Sequence, residues 1–162
     1  MSRTILILLA AGGSAALLAG AFAFQHLGGY APCQLCLLQR WPHAAAVVIG
    51  ALALMLKGRT LPVLGAMAAL TTAGLAIYHS GVERKLWAGP SSCSSGSIEG
   101  LSVDQLLDPT IVVAAPVPCD AIVWQMAGLT MPNLNALASL ALAVIWLLAA
   151  TRARRRPYEK GR

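Results

Sequence analysis

Residues 5–24 read ILILLAAGGSAALLAGAFAF, an unbroken apolar run without one charged side chain. A helix rises about 1.5 Å per residue, so a run of roughly 20 residues crosses the 30 Å hydrocarbon core of a bilayer. The rest of the chain agrees with this beginning, because 57% of its 162 residues are hydrophobic and only 11% are charged. Soluble domains of this length carry about twice that share of charge. The sequence therefore predicts a membrane protein.

Three further apolar blocks follow the first. We predict one domain whose spans cover about residues 5–26, 41–57, 61–79 and 133–150. The segments that join the spans on one side are a short loop, about 27–40, and a long loop, about 80–132. The expected fold is an all-α membrane protein with a four-transmembrane-helix bundle.

Lys and Arg residues are distributed unevenly between the two sides of this bundle. Nine of the 12 fall in the N-terminal segment, the turn after the second span and the C-terminal tail, against Arg40, Arg84 and Lys85 in the two loops. Short cytoplasmic segments retain positive charge, so both termini should be cytoplasmic and both loops external. Basic tails also bind nucleic acid, but membrane insertion alone accounts for this charge, and we expect no nucleic-acid partner.

The first span also has features of a cleavable secretory signal. Arg3 precedes the apolar run, and residues 21–23 read AFA, like a cleavage site. The run is longer than the roughly 7–15 residues of a signal core. We therefore expect the first span to be retained, and its loss would leave the orientation of the other spans unchanged.

The long loop contains two stretches with local signals. Residues 98–107 place Ile98, Leu101 and Leu107 near one helical face, which predicts a short amphipathic helix on the membrane surface. Residues 121–126 are expected to form a turn of helix, with Trp124 at the membrane interface.

All four cysteines fall in the two predicted external loops: Cys33, Cys36, Cys93 and Cys119. An external position exposes them to an oxidising compartment, which favours disulfide chemistry. Four cysteines allow three pairings. Only Cys33 and Cys36 have the Cys-x-x-Cys spacing that lowers a thiolate pKa. Cys93 with Cys119 would then close a flexible, exposed loop, where labile disulfides occur.

Two other interpretations are open to four external cysteines. Both pairs could be structural cross-links, but a packed bundle has little need of them, and a Cys-x-x-Cys ring removes little unfolded-state entropy. Zinc binding is the second alternative. Only one pair has the close spacing of a zinc ribbon, so we expect no metal.

A motif around the first pair resembles a known family. Residues 33–40, CQLCLLQR, are similar to the Cys-x-x-Cys-x-x-x-Arg motif of DsbB, the bacterial inner-membrane disulfide bond formation protein. FQH at residues 24–26 precedes it, Cys93 and Cys119 match the second pair of the family, and GLTMP at residues 128–132 is also similar. The resemblance covers nearly the whole chain.

The resemblance implies a thiol:quinone oxidoreductase whose active loops face the periplasm. A DsbA-like periplasmic thiol oxidase would attack the Cys93–Cys119 disulfide, at Cys93 first. Electrons would pass to a Cys33–Cys36 disulfide, which ubiquinone, or alternatively menaquinone, would reoxidise. DsbA lies near −120 mV and structural disulfides lie below about −300 mV, a gap of roughly 8 kcal/mol for two electrons. The cysteine pairs therefore need a stronger acceptor, and a membrane quinone can supply it.

Arg40 is the expected quinone ligand. It lies four residues after Cys36 and seven after Cys33, so all three share a face on a continuous helix. Its guanidinium would donate hydrogen bonds to a quinone oxygen and stabilise a thiolate. An Arg that extends to lipid head groups fits the same position. Pro42 leaves open a helix that begins there, with both cysteines in a loop above it.

His79, at the external end of the third span, resembles a quinone-proximal histidine of the family. It would handle protons during quinone reduction, although an ordinary interfacial histidine fits equally well. His26 and His43 are weaker candidates.

Two rival functions remain at this point. The first is a non-catalytic membrane adaptor whose disulfides hold a binding loop. The second is an enzyme of the same fold that serves a specialised partner.

Overall fold

Four long helices account for most of the computed structural model, which describes residues 1–94 and 117–152. The helices are α1 (Arg3–His26), α2 (Gln34–Met55), α3 (Thr60–Glu83) and α5 (Met131–Arg152), with a short α4 (Ser91–Ser94) and strands β1 (Gln125–Met126) and β2 (Leu129–Thr130) between the last two. Each long helix is long and apolar enough to cross a membrane. The predicted four-helix membrane fold is confirmed. The amphipathic helix predicted at residues 98–107 and most of the basic tail lie outside the described residues.

The four long helices form a ring. Helix α1 packs against α2 and α5, and α3 packs against the same two neighbours. Small side chains fill many of the buried positions, among them Ala10, Ala46, Ala66, Ala73 and Ala143. Small residues let helix backbones approach closely, which is how helices associate in lipid. Large apolar side chains cover the outside of the ring, as lipid contact requires: Leu8, Val48, Met67, Leu70, Val144 and Leu147.

The end of the bundle that carries the two termini has an apolar core, which we call the terminal end. Trp146 is fully buried there. A Cβ on Gly65 would lie 2.6 Å from the Trp146 ring, so the glycine makes room for the indole. Arg59 Nε donates to the Ala150 carbonyl oxygen over 3.0 Å and ties α3 to the last turns of α5.

Helix α2 begins earlier than the predicted span. Cys33 is its N-cap, and its sulfur accepts a hydrogen bond from the backbone N–H of Cys36 over 3.2 Å. The helix then continues through Pro42 to Met55. Neighbouring helices and local adjustments let membrane helices tolerate an internal proline. The alternative in which the helix begins near Pro42 is wrong, and Cys36 and Arg40 lie on one continuous helix.

The helical turn expected at residues 121–126 is wrong. Strands β1 and β2 form a hairpin in this region, in which Gln125 pairs with Thr130 and Met126 with Leu129. Ala127 and Gly128, the two turn residues, both have positive φ, at 50° and 78°. Two such residues in succession produce the tight turn that matches strand twist and exclude a helix.

A tryptophan folds the chain back over the end of α3. Trp87 stacks on Tyr78 with ring centroids 6.0 Å apart, and its Nε1 donates to the Tyr78 carbonyl oxygen over 2.8 Å. A side chain on Gly81 would overlap the Trp87 ring. The segment that follows Trp87 therefore runs back against α3 and brings Cys93 into the cluster that contains Val82.

Candidate functional site

All four cysteines meet in one buried cluster at the end of the bundle opposite the terminal end, which we call the cysteine end. Cys33, Cys93 and Cys119 pack there with Leu35 and Val82, and Cys36 lies at the border of the cluster. Cys93 and Cys119 are joined by a disulfide. Cys33 and Cys36 are free thiols with their sulfur atoms 2.8 Å apart. A disulfide between Cys33 and Cys36 stays a prediction.

The second cysteine pair is less accessible than the sequence indicated. Cys93 is 7% exposed and Cys119 only 1%, so the expectation of an exposed bridge is wrong for these two residues. The cause is the fold of the segment after α3, which places the bridge against Cys33 rather than in solvent. The position favours thiol exchange between the two pairs, since exchange requires one sulfur to attack another directly.

Cys33 and Cys36 share a hydrogen bond and differ in their surroundings. Cys33 donates to the Cys36 sulfur, and this bond together with burial raises the pKa of Cys33 above that of an ordinary thiol. Cys33 therefore keeps its proton in the resting pair. Cys36 lines a cavity and Cys33 does not. The pair is oriented with Cys36 toward the cavity and Cys33 toward the second pair.

His79 lies between the two cysteine pairs. Its Nε2 is 3.5 Å from the Cys33 sulfur, and its Nδ1 is 3.0 Å from Gln39 Nε2. The ring also forms a hydrogen bond with the backbone of Cys119. His79 is 2% exposed, so it is not an interfacial side chain in contact with head groups. The structure brings it to the cysteines as well as to the cavity, whose wall it forms in part.

The cavity has a volume of about 290 Å³ and opens beside Cys36. This is close to the lower end of the range for small-molecule sites. Three aromatic side chains, Phe24, Tyr30 and Trp124, line it, and Phe24 packs against both of the others. A mostly apolar wall with a few polar side chains suits a flat, lipid-soluble ligand.

Arg40 supplies the positive charge of the cavity wall. Its Nη1 donates to Gln25 Oε1 over 2.7 Å, and its guanidinium carbon lies 4.7 Å from the centre of the Phe22 ring. Its Nε is buried and has no hydrogen-bond partner. Arg40 has no carboxylate partner within the residues that the structure describes, so a ligand oxygen would satisfy both the free donor and the charge.

Sequence reasoning missed a polar network inside the bundle. Asn135, in the second turn of α5, donates to Gln39 Oε1 over 2.6 Å and to Thr72 Oγ1 over 3.3 Å. Its Oδ1 accepts from Ser139 over 3.2 Å and lies 2.9 Å from His43 Nε2. The available signal was polar residues within apolar spans, which are costly in lipid and mark functional sites.

Comparison with known proteins supports the same family as the motif. The profile of the family described as "Disulfide bond formation protein DsbB" matches residues 2–149. Disulfide bond formation protein B of Polaromonas sp. (strain JS666 / ATCC BAA-500) is 27% identical over 158 residues, which cover 94% of this chain and 92% of that relative. The protein of the same name from Marinobacter nauticus (strain ATCC 700491 / DSM 11845 / VT8) is 31% identical over 147 residues, 85% of this chain and 86% of its own.

A third relative is the "Uncharacterized protein RP370" of Rickettsia prowazekii (strain Madrid E), which is 26% identical over 133 residues, 78% of this chain and 76% of its own. No solved structure matches the chain. A family profile that covers all four spans and all four cysteines leaves one conclusion: the chain belongs to the DsbB family of membrane proteins that form disulfide bonds.

Proposed function

We propose that this protein is a thiol:quinone oxidoreductase of the bacterial inner membrane that reoxidises a DsbA-like periplasmic thiol oxidase. One observation carries the proposal: both cysteine pairs meet in one cluster, and one member of it, Cys36, lines an apolar cavity. Sulfur atoms within one cluster can exchange disulfides without a separate carrier. The cavity beside Cys36, the last sulfur on the route, can hold a lipid-soluble molecule that accepts the electrons.

In the proposed route, electrons move from Cys93 and Cys119 to Cys33 and Cys36. A thiolate of the partner attacks Cys93 and releases Cys119, and Cys119 attacks Cys33 of a Cys33–Cys36 disulfide and releases Cys36. The second thiol of the partner then releases the oxidised partner from Cys93. Cys93 attacks Cys119 and releases Cys33. The partner has lost two electrons and two protons, and both now reside on Cys33 and Cys36.

This end state has the same bonding as the structure, with Cys93 joined to Cys119 and thiols at Cys33 and Cys36. The two thiols must then be oxidised to a disulfide for another cycle. A bound quinone supplies the acceptor for two electrons and two protons. Ubiquinone is the expected acceptor, with menaquinone as the alternative.

The residues around the cavity fit a quinone. Arg40 would hold a carbonyl oxygen through its free Nε donor, and the three aromatic rings would pack on the faces and edges of the quinone ring. Cys36, the sulfur nearest to this space, would transfer the electron pair. His79 would be a second polar contact on the same wall.

The cysteine end would face the periplasm and both termini the cytoplasm. The supporting observation is the distribution of Lys and Arg, nine of which lie in the segments on the terminal side. The uneven charge gives an orientation that matches the oxidising compartment to the cysteines.

Purified protein in nanodiscs should reduce ubiquinone when reduced DsbA is the electron donor, followed as the loss of quinone absorbance. Cys36→Ser should abolish this turnover, since the pair can no longer form a disulfide. The matched control is Thr71→Ser, a substitution on the outer face of α3 that changes no cysteine and should leave turnover unchanged. Turnover by Cys36→Ser would contradict the role of Cys36. A faster rate with menaquinone than with ubiquinone would favour menaquinone as the acceptor.

A trapping experiment separates the enzyme from the adaptor. Cys119→Ala leaves Cys93 as a free thiol, whose thiolate should attack the disulfide of oxidised DsbA and capture it as a mixed disulfide at Cys93. An adaptor would keep both bridges permanently oxidised in the wild type, and its Cys119→Ala variant would trap nothing. Capture of a different periplasmic thiol protein in preference to DsbA would identify an enzyme with a specialised partner.

A further inference from the structure

We infer that Gln39 and Asn135 are positioning residues that hold His79 in its Nε2–H tautomer and so direct a hydrogen-bond donor at the Cys33 sulfur. The inference rests on the proposed function for its catalytic meaning, but its structural content stands on four contacts: Gln39 with Leu35, with Asn135 and with His79, and His79 with Cys33.

The contacts of the Gln39 amide determine its orientation. One of its terminal atoms lies 3.1 Å from the Leu35 carbonyl oxygen. A carbonyl oxygen only accepts, so this terminal atom must be the nitrogen. The other terminal atom, the oxygen, lies 2.6 Å from Asn135 Nδ2. Rotating either amide by 180° would place two acceptors or two donors against each other, so the two amides fix one another.

The orientation of Gln39 in turn determines the tautomer of His79. The same Gln39 NH₂ group lies 3.0 Å from His79 Nδ1. An NH₂ group only donates, so Nδ1 has to be the unprotonated nitrogen and the neutral ring carries its proton on Nε2. A doubly protonated ring would bring an N–H against the Gln39 NH₂. His79 Nε2 lies 3.5 Å from the Cys33 sulfur, within the range for a hydrogen bond to sulfur, and the same N–H is the ring donor left for the backbone of Cys119.

The Nε2–H donor acts on the Cys33 sulfur during disulfide exchange. In the proposed route Cys33 leaves as a thiolate when Cys93 attacks the Cys33–Cys119 disulfide, and the electron pair of the broken bond stays on the Cys33 sulfur. That sulfur then accepts from the Cys36 backbone N–H and from His79 Nε2–H. Hydrogen bonds to a charged group are stronger than those to a neutral one. The donor therefore stabilises Cys33 most at the moment when it leaves.

The tautomer also excludes an otherwise attractive metal site. Cys33, Cys36 and His79 offer three ligand atoms that all lie within 4.8 Å of one another. A histidine that binds a metal donates its other ring N–H to a neighbour. His79 does the reverse, because its Nδ1 accepts from Gln39 and its Nε2 carries the proton. A single substitution, Gln39→Glu, should invert this, because a carboxylate accepts a proton from Nδ1 and frees Nε2.

The decisive measurement is ¹⁵N NMR of the reduced protein, labelled at histidine and held in nanodiscs without quinone or partner. The chain has three histidines, so His26→Gln and His43→Gln assign the His79 signals. Wild type should show an unprotonated, hydrogen-bonded Nδ1 and a protonated Nε2. Gln39→Glu should move the proton to Nδ1. Ser139→Ala, the matched control, removes one bond to Asn135 but none to Gln39 and should leave the tautomer unchanged.

Two further readouts test the consequences. After reduced DsbA is mixed with oxidised protein, alkylation and mass spectrometry should show free Cys33 forming about tenfold more slowly in Gln39→Glu than in wild type or Ser139→Ala. Zn²⁺ competition with a chromophoric chelator should show Gln39→Glu binding about tenfold to a hundredfold more tightly than wild type.

A protonated Nδ1 in wild type, or tight zinc binding by wild type, would overturn the inference. An unchanged rate of Cys33 release despite a changed tautomer would overturn its chemical part. None of these three results depends on quinone reduction, so the proposed function would be judged separately by its own assay.

Discussion

The two ends of this bundle bury different kinds of side chain. At the terminal end, the core is apolar and Trp146 fills the space left by Gly65. At the cysteine end, three buried cysteines with Cys36 at their border lie beside a connected polar network. Apolar packing at the terminal end holds the helices together, whereas buried polar groups, which are costly in lipid, are retained where chemistry needs them. Stability and activity should therefore respond to different halves of the molecule.

The largest effect should come from breaking the second cysteine pair. Cys119→Ser should abolish oxidation of DsbA, because the variant has lost the Cys93–Cys119 disulfide that the partner attacks. The protein should still reach the membrane and run as a monodisperse species, since the four helices pack without help from this bond. Quinone-coupled turnover and size-exclusion chromatography check the two halves of the prediction. Persistent DsbA oxidation would show that the partner uses Cys33 and Cys36 directly.

The next largest effect should be at the terminal end. Trp146→Ala removes a fully buried ring and should lower the free energy of unfolding by about 3 kcal/mol or more. Trp146→Phe should cost much less, because it also removes a buried indole N–H that has no partner. Unfolding in mixed micelles measures both variants. The turnover of each folded molecule should match wild type, and a fall in turnover would contradict the division of roles.

A smaller effect should follow from removing the charge beside the cavity. Arg40→Met should raise the KM for quinone about tenfold through loss of a charge-assisted hydrogen bond. Arg59→Met is the matched control, because among the residues that the structure describes Arg59 bonds only to a carbonyl oxygen at the terminal end. Steady-state kinetics over a range of quinone concentrations separates KM from kcat. An equal change in both variants would indicate a general effect of lost charge.

The smallest effect should come from loosening the hairpin. Asn133 Oδ1 accepts from the Thr130 N–H and hydroxyl, and its Nδ2 donates to Ser80 Oγ over 2.6 Å. Asn133→Ala should increase hydrogen exchange of the Thr130 amide about tenfold, as expected for the loss of roughly 1–2 kcal/mol of local hydrogen bonding. The Thr71 hydroxyl donates to the Met67 carbonyl oxygen within α3, so Thr71→Ala should leave the Thr130 exchange rate unchanged.

Two expectations from the sequence were wrong, one at the hairpin and one at the second disulfide. Residues 121–126 were expected to be helical because the local composition permitted it, but Gln125 and Met126 instead pair with the chain that returns after the turn at 127–128. The second disulfide was expected in solvent because its loop is long. Its burial depends on the contact of Trp87 with Gly81 and Tyr78, which no local pattern announces.

The sequence by itself determined the four spans, the family motif and the identity of the reactive residues. Span prediction succeeds because the free energy of placing each side chain in lipid is nearly additive along the chain, so a run such as residues 5–24 needs no tertiary information. Only the tertiary structure decided that Asn135 meets Gln39 across 96 positions of sequence, and that this contact fixes the proton on His79. The rotation of each helix about its axis sets such contacts, and packing against the neighbouring helices fixes that rotation.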